Sequence, residues 1–207
     1  MLSVFKLTAE FLLSGPCLLC EREIGRGVIC ERCHADLPWL AQTERSFPWG
    51  SVKAPWRYEF PIREIICHLK YRRRLVLARF LGELMAEKIA AAEAVTLVPV
   101  PLHPRRLRER GFNQSLEIAK VLAEKLALPI ETDLVIRIRN TLPQASLQRE
   151  RRQVNLKGAF AVQRKPPPGK IVLLDDVLTT GTTLSELAAT LRRAGADKIE
   201  AWVCALA

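Results

Sequence analysis

The sequence lacks a long apolar run, and this lack excludes a transmembrane protein. No stretch of its 207 residues approaches the roughly 18 to 20 consecutive apolar residues that a membrane-spanning helix needs. The opening segment, MLSVFKLTAEFLLSGPCLLC, is interrupted by Lys6, Thr8 and Glu10. It therefore favours a short amphipathic helix over a signal peptide, and we expect a cytoplasmic protein without a membrane span.

Two nucleotide-binding fingerprints are also missing. Neither GxxxxGK[ST] nor GxGxxG occurs in the chain, which excludes a P-loop and a Rossmann dinucleotide site. Internal repeats and low-complexity tracts are absent as well. Because 49% of the residues are hydrophobic, the composition indicates a globular protein, and its length allows one domain plus a small extra module.

Acidic residues are too few to balance the basic ones. The chain has 32 Lys and Arg against 22 Asp and Glu, a formal net charge of +10. The excess lies in three clusters: Arg72, Arg73 and Arg74; Arg105, Arg106, Arg108 and Arg110; and Arg137, Arg139, Arg149, Arg151, Arg152 and Lys157. Arginine binds phosphate bidentately, so polyanions and phosphorylated small molecules are the partners that this charge favours.

Four of the six cysteines form two CxxC pairs, Cys17 with Cys20 and Cys30 with Cys33. Two such pairs supply the four thiolates of a tetrahedral zinc site. Disulfides would suit a secreted chain, and a redox CxxC would need only one pair. We therefore predict a closed, structural Zn²⁺ site in a small zinc ribbon-like module, with His34 as an alternative ligand.

Residues 35–60 are rich in tryptophan and proline and weak in periodicity. Trp39, Trp49 and Trp56 could stack on nucleic-acid bases. We favour hydrophobic plugs between modules. Residues 1–60 are thus predicted to form the N-terminal module and its linker, with WRYEF (56–60) as a possible strand.

From residue 61 onward, helical and strand patterns alternate. Helices are predicted over 61–71, 75–93, 113–128 and 183–195, the third opened by Asn113 as N-cap and the last closed by Gly195. Strands are predicted over 96–100, 134–138, 158–162, 170–176 and 199–206. This alternation predicts an α/β domain over 61–207 with a parallel sheet flanked by helices.

The stretch LLDDVLTTGTT, residues 173–183, carries the strongest functional signal. Asp175 and Asp176 end a predicted buried strand, and a turn of Thr179, Thr180, Gly181, Thr182 and Thr183 leads into the next helix. The amides of that helix start form an anion cradle, and paired carboxylates accept hydrogen bonds from vicinal hydroxyls. A ribose 5-phosphate unit satisfies both halves, whereas an ordinary N-cap leaves the adjacent charges unexplained.

This stretch resembles the phosphoribosyl pyrophosphate (PRPP) motif of type I phosphoribosyltransferases. Together with the CxxC pairs, HLKYRRR (68–74), VPVPLHPRRLRERGFNQS (98–115) and the run over 139–160, the chain resembles the ComF family. The resemblance covers nearly the whole chain and implies a role in DNA uptake and competence. A gluconate-uptake role, attached by name to related GntX-type proteins, finds no chemical support in these residues.

The resemblance also implies roles for individual residues. Asp175 and Asp176 would hold the ribose hydroxyls, and the turn over 179–183 would bind the 5-phosphate. The segment from Pro101 to Arg106 would be the pyrophosphate loop, with Arg105, Arg106 and then Lys70 as the leading cations. Residues 141–152 would be a mobile lid, and Mg²⁺ would accompany PRPP.

Three functions remain open from the sequence. The chain could be a phosphoribosyltransferase acting on an unidentified acceptor. It could be a non-catalytic factor that binds single-stranded DNA, with PRPP as regulator. It could also dock a helicase-like competence protein through its zinc module. No base pocket is recognisable, so the acceptor and catalysis itself are not specified.

Overall fold

The computed structural model describes residues 15–25, 27–89, 95–140 and 156–207. The predicted N-terminal helix and the predicted lid over 141–152 lie outside these residues. The helices are α1 (Glu31–Ala35), α2 (Ile62–Arg72), α3 (Val76–Lys88), α4 (Pro104–Arg110), α5 (Gln114–Leu126) and α6 (Thr182–Arg193). The strands are β1 (Gly15–Pro16), β2 (Glu23–Ile24), β3 (Glu44–Phe47), β4 (Gly50–Lys53), β5 (Trp56–Arg57), β6 (Val95–Pro99), β7 (Val135–Arg137), β8 (Phe160–Val162), β9 (Lys170–Leu178) and β10 (Lys198–Leu206).

The main sheet has the strand order β3-β4-β10-β9-β6, and β5 pairs with the end of β10. The contacts of β10 with β4, β5 and β9, and that of β9 with β6, are parallel. Only the pairing of β3 with β4 at the edge is antiparallel among these ladders. The predicted α/β class with a parallel sheet flanked by helices is therefore confirmed.

The strand β9 shows how the sheet divides the core. Val172 and Leu174 pack into the cluster beneath α2, α3 and α5, whereas Ile171 and Leu173 pack into the cluster beneath α6. Successive side chains of a strand point to opposite faces, so a continuous apolar run covers both sides. This is the pattern of a parallel strand buried between helical layers.

Three features differ from the sequence prediction. Strand β9 continues to Leu178, two residues beyond the predicted end, because β10 runs beside it and pairs with Val177 and Leu178. Strands β7 and β8 do not join the main sheet but pair antiparallel with each other. Residues 44–57, predicted to lie in the linker, supply β3, β4 and β5 to the main sheet; among these, only β5 falls within the possible strand predicted over 56–60.

Helix ends follow the local signals that the sequence contains. The side chain of Asn113 accepts a hydrogen bond from the Ser115 amide at the start of α5, as the N-cap prediction requires. Gly195 has a φ of 99° just after α6, a conformation that glycine adopts without strain. None of the helices in the described part of the chain has the length and apolar character needed to cross a bilayer.

Candidate functional site

The four predicted metal ligands lie together at the N-terminus of the described chain. The Sγ atoms of Cys17, Cys20, Cys30 and Cys33 are all within 4.8 Å of one another, and those of Cys20 and Cys30 are 3.7 Å apart. A tetrahedral zinc ion with bonds of about 2.3 Å to sulfur separates its ligands by about 3.8 Å. The cluster thus fits a metal ion such as zinc.

Backbone amides around the cluster favour the thiolate form that a metal requires. The amide of Cys30 donates to the Sγ of Cys17 over 3.4 Å, and the amide of Cys33 donates to the Sγ of Cys30 over 3.5 Å. Burial opposes ionisation of Cys17, but backbone hydrogen bonds outweigh it and lower the pKa of this thiol to about 6. His34 instead packs edge-on against Trp39, with ring centroids 5.7 Å apart.

Of the three tryptophans predicted to be hydrophobic plugs between modules, Trp49 and Trp56 are buried, but both lie in the cores that flank the main sheet. Trp56 is fully buried in the core beneath α2 and α3, and Trp49 is buried in the core beneath α6. Leu18, Leu19, Val28 and Ile29 of the cysteine-rich segment pack against the first of these cores. Because Trp49 and Trp56 have almost no exposed surface, neither can stack on a base or dock a partner.

The adjacent aspartates meet α5 and α2 at the carboxyl end of the sheet. Ser115 donates its hydroxyl to the Oδ1 of Asp175 over 3.0 Å. Gln114 donates its amide to the Oδ1 of Asp176 over 3.2 Å, and the Lys70 ammonium forms an ion pair with the Oδ2 of Asp176. Asp176 is buried, with 4% of its surface exposed, whereas Asp175 is half-buried.

These surroundings separate the protonation behaviour of the two carboxyl groups. Burial and repulsion from Asp176 raise the pKa of Asp175 to about 7. Burial would raise the pKa of Asp176 too, but the charge and hydrogen bond of Lys70 hold it below the usual value. The same attraction outweighs burial at Lys70 and raises its pKa. The cluster is therefore an ionised Lys70–Asp176 pair beside a carboxyl group that titrates near neutrality.

The threonine-rich turn follows directly from β9. Gly181 is the N-cap of α6 with a φ of 76°, and because it has no side chain, it does not cap the first amides of the helix. The hydroxyls of Thr180 and Thr182 are 2.8 Å apart and hydrogen-bonded to each other. The first amides of α6 and these hydroxyls therefore share one turn, as an anion cradle requires.

The two leading arginines occupy different positions. Only residues 101–103 of the predicted pyrophosphate loop are irregular, because α4 begins at Pro104. His103 is the N-cap of this helix, and its imidazole accepts a hydrogen bond from the Arg105 amide. The Arg105 side chain turns to Glu109 on the exposed face. Arg106 instead lines a groove, which we call the basic groove, with Lys70, Tyr71, Arg73, Glu109 and Arg110.

Further site residues became visible only in the folded chain. Arg137 of β7 lies near Arg106 and Asp175. Burial and repulsion from Arg106 lower the pKa of Arg137, although the attraction of Asp175 partly opposes this shift. Gln114 and Ser115 lie in the stretch GFNQS, in which only Asn113 was predicted to have an individual role, as the N-cap of the helix. Their polar side chains at the buried start of an amphipathic helix were the available signal.

Comparisons with known proteins agree with this architecture. The family model of the phosphoribosyl transferase domain matches residues 113–206. DNA utilization protein YhgH of Salmonella typhi is 32% identical over 201 residues, covering 91% of this chain and 88% of that protein. Competence protein F of Haemophilus influenzae is 28% identical, with coverage of 91% and 89%.

A third relative comes from another bacterium. Competence protein ComFC of Bacillus subtilis is 28% identical over 183 residues, covering 86% of this chain and 72% of that protein. Similarity over about nine-tenths of the chain confirms the resemblance drawn from the motifs. The chain belongs to the ComF family of competence-related proteins with a phosphoribosyl transferase domain.

Proposed function

We propose that the chain binds PRPP as its magnesium complex, at the carboxyl ends of β6 and β9. The observation that carries this proposal is the ion pair of Lys70 with Asp176, which joins the carboxylates of Asp175 and Asp176 to the cations of the basic groove, with the Thr179–Thr183 turn directly after the same strand. One ligand that bears vicinal hydroxyls, a monophosphate and a pyrophosphate complements all three. Ligands of open α/β sheets bind at this end of the strands.

Each part of the ligand has a partner of suitable chemistry. Asp175 is half-buried and engages Ser115 through one oxygen, which leaves acceptor capacity for a ribose hydroxyl. The 5-phosphate accepts hydrogen bonds from the turn of Thr179, Thr180, Gly181, Thr182 and Thr183 and the start of α6. Magnesium would arrive bound to the ligand and would neutralise part of its phosphate charge.

The basic groove receives the pyrophosphate. Arg106 and Lys70 both line it, whereas Arg105 is outside its lining and donates to the carboxylate of Glu109. We therefore assign the contact to Arg106 and Lys70. Cations placed around a departing pyrophosphate stabilise the charge that develops when the bond at ribose C1 breaks. The site is therefore phosphoribosyltransferase-like, and its acceptor is not specified by the described residues.

Isothermal titration with PRPP and Mg²⁺ tests the binding proposal. We expect saturable binding to the wild type and a loss of about tenfold or more in affinity for Asp175→Asn, because a charge-assisted hydrogen bond is replaced by a neutral one. Asp133→Asn is the matched control, since Asp133 is exposed and pairs with Arg164. No heat at millimolar PRPP, or equal affinity for both variants, would refute the proposal.

We also propose zinc as the ion of the four-cysteine cluster, with a structural role. Four thiolates close the coordination shell, so no position remains for a substrate. The cysteine-rich segment has few buried residues of its own: α1 contains none. The metal would therefore supply much of the free energy that holds this segment together.

Single-stranded DNA is a second candidate ligand, favoured by one specific observation. Tyr71 is 73% exposed, and the Arg110 guanidinium lies 5.8 Å from the centre of its ring. Proteins that bind single-stranded nucleic acid use exposed aromatic rings to stack bases and neighbouring arginines to bind phosphates. The DNA backbone would then follow the same groove that we assign to pyrophosphate.

Fluorescence titration with a labelled single-stranded oligonucleotide tests this second ligand. We expect Tyr71→Ala to weaken binding about tenfold, because one stacked base is lost, and Tyr71→Phe to bind like the wild type. Affinity should also fall steeply between 50 and 200 mM salt, as phosphate contacts require. Failure to bind at low salt, or equal losses in the two variants, would argue against this site.

A further inference from the structure

Lys70 belongs to two sets of contacts at once. Its ammonium is ion-paired with the Oδ2 of Asp176, and its side chain is only 18% exposed. The same side chain lines the basic groove beside Arg106 and Arg110. Lys70 therefore lies between the carboxylate assigned to the ribose and the groove assigned to the pyrophosphate.

Both oxygens of Asp176 already have partners from the protein. Oδ2 meets Lys70, and Oδ1 accepts the side-chain amide of Gln114 over 3.2 Å. Gln114 is itself held through its Oε1 by the Arg110 guanidinium, which reaches back to the groove. A sugar hydroxyl that approaches Asp176 must therefore compete with contacts that the ligand-free protein has satisfied.

We propose that Lys70 is a specificity-determining residue, which selects ribose phosphates that carry a pyrophosphate over those that do not. This inference rests on the function proposed above. When the pyrophosphate enters the groove, it offers the Lys70 ammonium a second anion, and the oxygen of Asp176 becomes available to a ribose hydroxyl. Ribose 5-phosphate brings no such anion and must displace Lys70 without compensation.

Lys70 can change its partner from Asp176 to the pyrophosphate because one ammonium group can donate hydrogen bonds to two anions. Its three donors rotate on a flexible stem, so Lys70 can turn from Asp176 towards the groove without movement of α2. Removing one partner of a buried ion pair is costly, because the other charge is left uncompensated. The ligand that restores a counter-charge therefore binds more tightly than the ligand that does not.

The test compares PRPP and ribose 5-phosphate, each with Mg²⁺, by calorimetry on the full chain. In the wild type we expect PRPP to bind at least about tenfold more tightly, the size of one charge-assisted interaction. In Lys70→Met we expect PRPP to weaken while ribose 5-phosphate binds as well as before or better, so that the ratio falls by about tenfold. Lys70→Arg should keep the preference, and Lys120→Met, which alters an exposed lysine of α5, should change neither affinity.

The outcomes separate the inference from the function on which it rests. If Lys70→Met weakens both ligands by the same factor, Lys70 is merely structural and the inference is wrong. If Lys70→Met fails to fold, Lys70→Gln, which can donate to Asp176 without a charge, must show the same fall in the ratio. If the wild type binds neither ligand, the proposed PRPP site itself is overturned, and the inference with it.

Discussion

Replacing Cys17 with serine is expected to abolish stoichiometric zinc binding and to lower the thermal midpoint by about 10 °C. Cys17 is 1% exposed and accepts the Cys30 amide, so a hydroxyl there removes a buried thiolate ligand. Structural zinc contributes about 10 kcal/mol or more of apparent free energy in small modules. For a chain of this size, each 1 kcal/mol of lost stability lowers the thermal midpoint by roughly 2–4 °C, so the loss of part of the zinc contribution is sufficient for the expected shift.

Zinc content and thermal unfolding measured on the same preparations check this prediction. Cys67→Ser is the control, because Cys67 lies on α2 outside the four-cysteine group. It should retain the metal of the wild type. Unchanged zinc content in Cys17→Ser, or equal losses in the two variants, would contradict a site built from the four cysteines.

Replacing Asp175 with asparagine is expected to stabilise the ligand-free protein at alkaline pH while it weakens PRPP binding. Burial and Asp176 raise the pKa of Asp175 to about 7 in the folded protein, whereas an unfolded chain releases this proton near pH 4. Between these values the folded state binds more protons than the unfolded state, so the stability of the wild type falls as the pH rises. Asparagine does not ionise and avoids this cost.

Urea unfolding at pH 5.5 and pH 8 measures the effect. The free energy of unfolding of Asp175→Asn, relative to the wild type, should increase by about 2 kcal/mol between these pH values, since each pKa unit corresponds to about 1.4 kcal/mol. Asp133→Asn should show no such change, because that carboxyl group is exposed. A difference that stays constant with pH would mean that Asp175 is not held in a proton-binding environment.

A gain in stability together with a loss of binding would itself identify a functional residue. Two adjacent carboxyl groups at the end of a buried strand are unfavourable for folding, because burial and mutual repulsion both oppose their ionisation. In this chain Lys70 compensates Asp176, and Asp175 retains a raised pKa. The hydrogen bonds from the Ser115 hydroxyl and the Asp176 amide do not cancel that rise, and a ligand that hydrogen-bonds to the carboxylate would compensate further.

Local signals in the sequence were sufficient for features that depend on residues close together in the chain. The spacing of Cys17, Cys20, Cys30 and Cys33 brings pairs of thiols together within single turns, and the structure places all four within 4.8 Å of one another. Asn113 caps α5 through its own side chain. Alternating strands and helices predicted the parallel sheet, since parallel strands require crossover connections.

Contacts between distant segments could not be obtained in this way. The hairpin of β7 and β8 was predicted as two strands of the main sheet, because a short apolar run does not reveal its neighbour. The end of β9 was placed at Asp176, whereas pairing with β10 extends it to Leu178.

The sequence by itself determined the cysteine cluster, the class of fold, and the Asp175-Asp176 and threonine-turn motif, because each depends on residues close together in the chain. Only the tertiary structure decided which groups surround that motif. The packing of α2 and α5 supplies Lys70 to Asp176 and Ser115 to Asp175. The charge state of a buried carboxyl group depends on neighbours that are 60 or more residues away in the chain, and no local pattern specifies them.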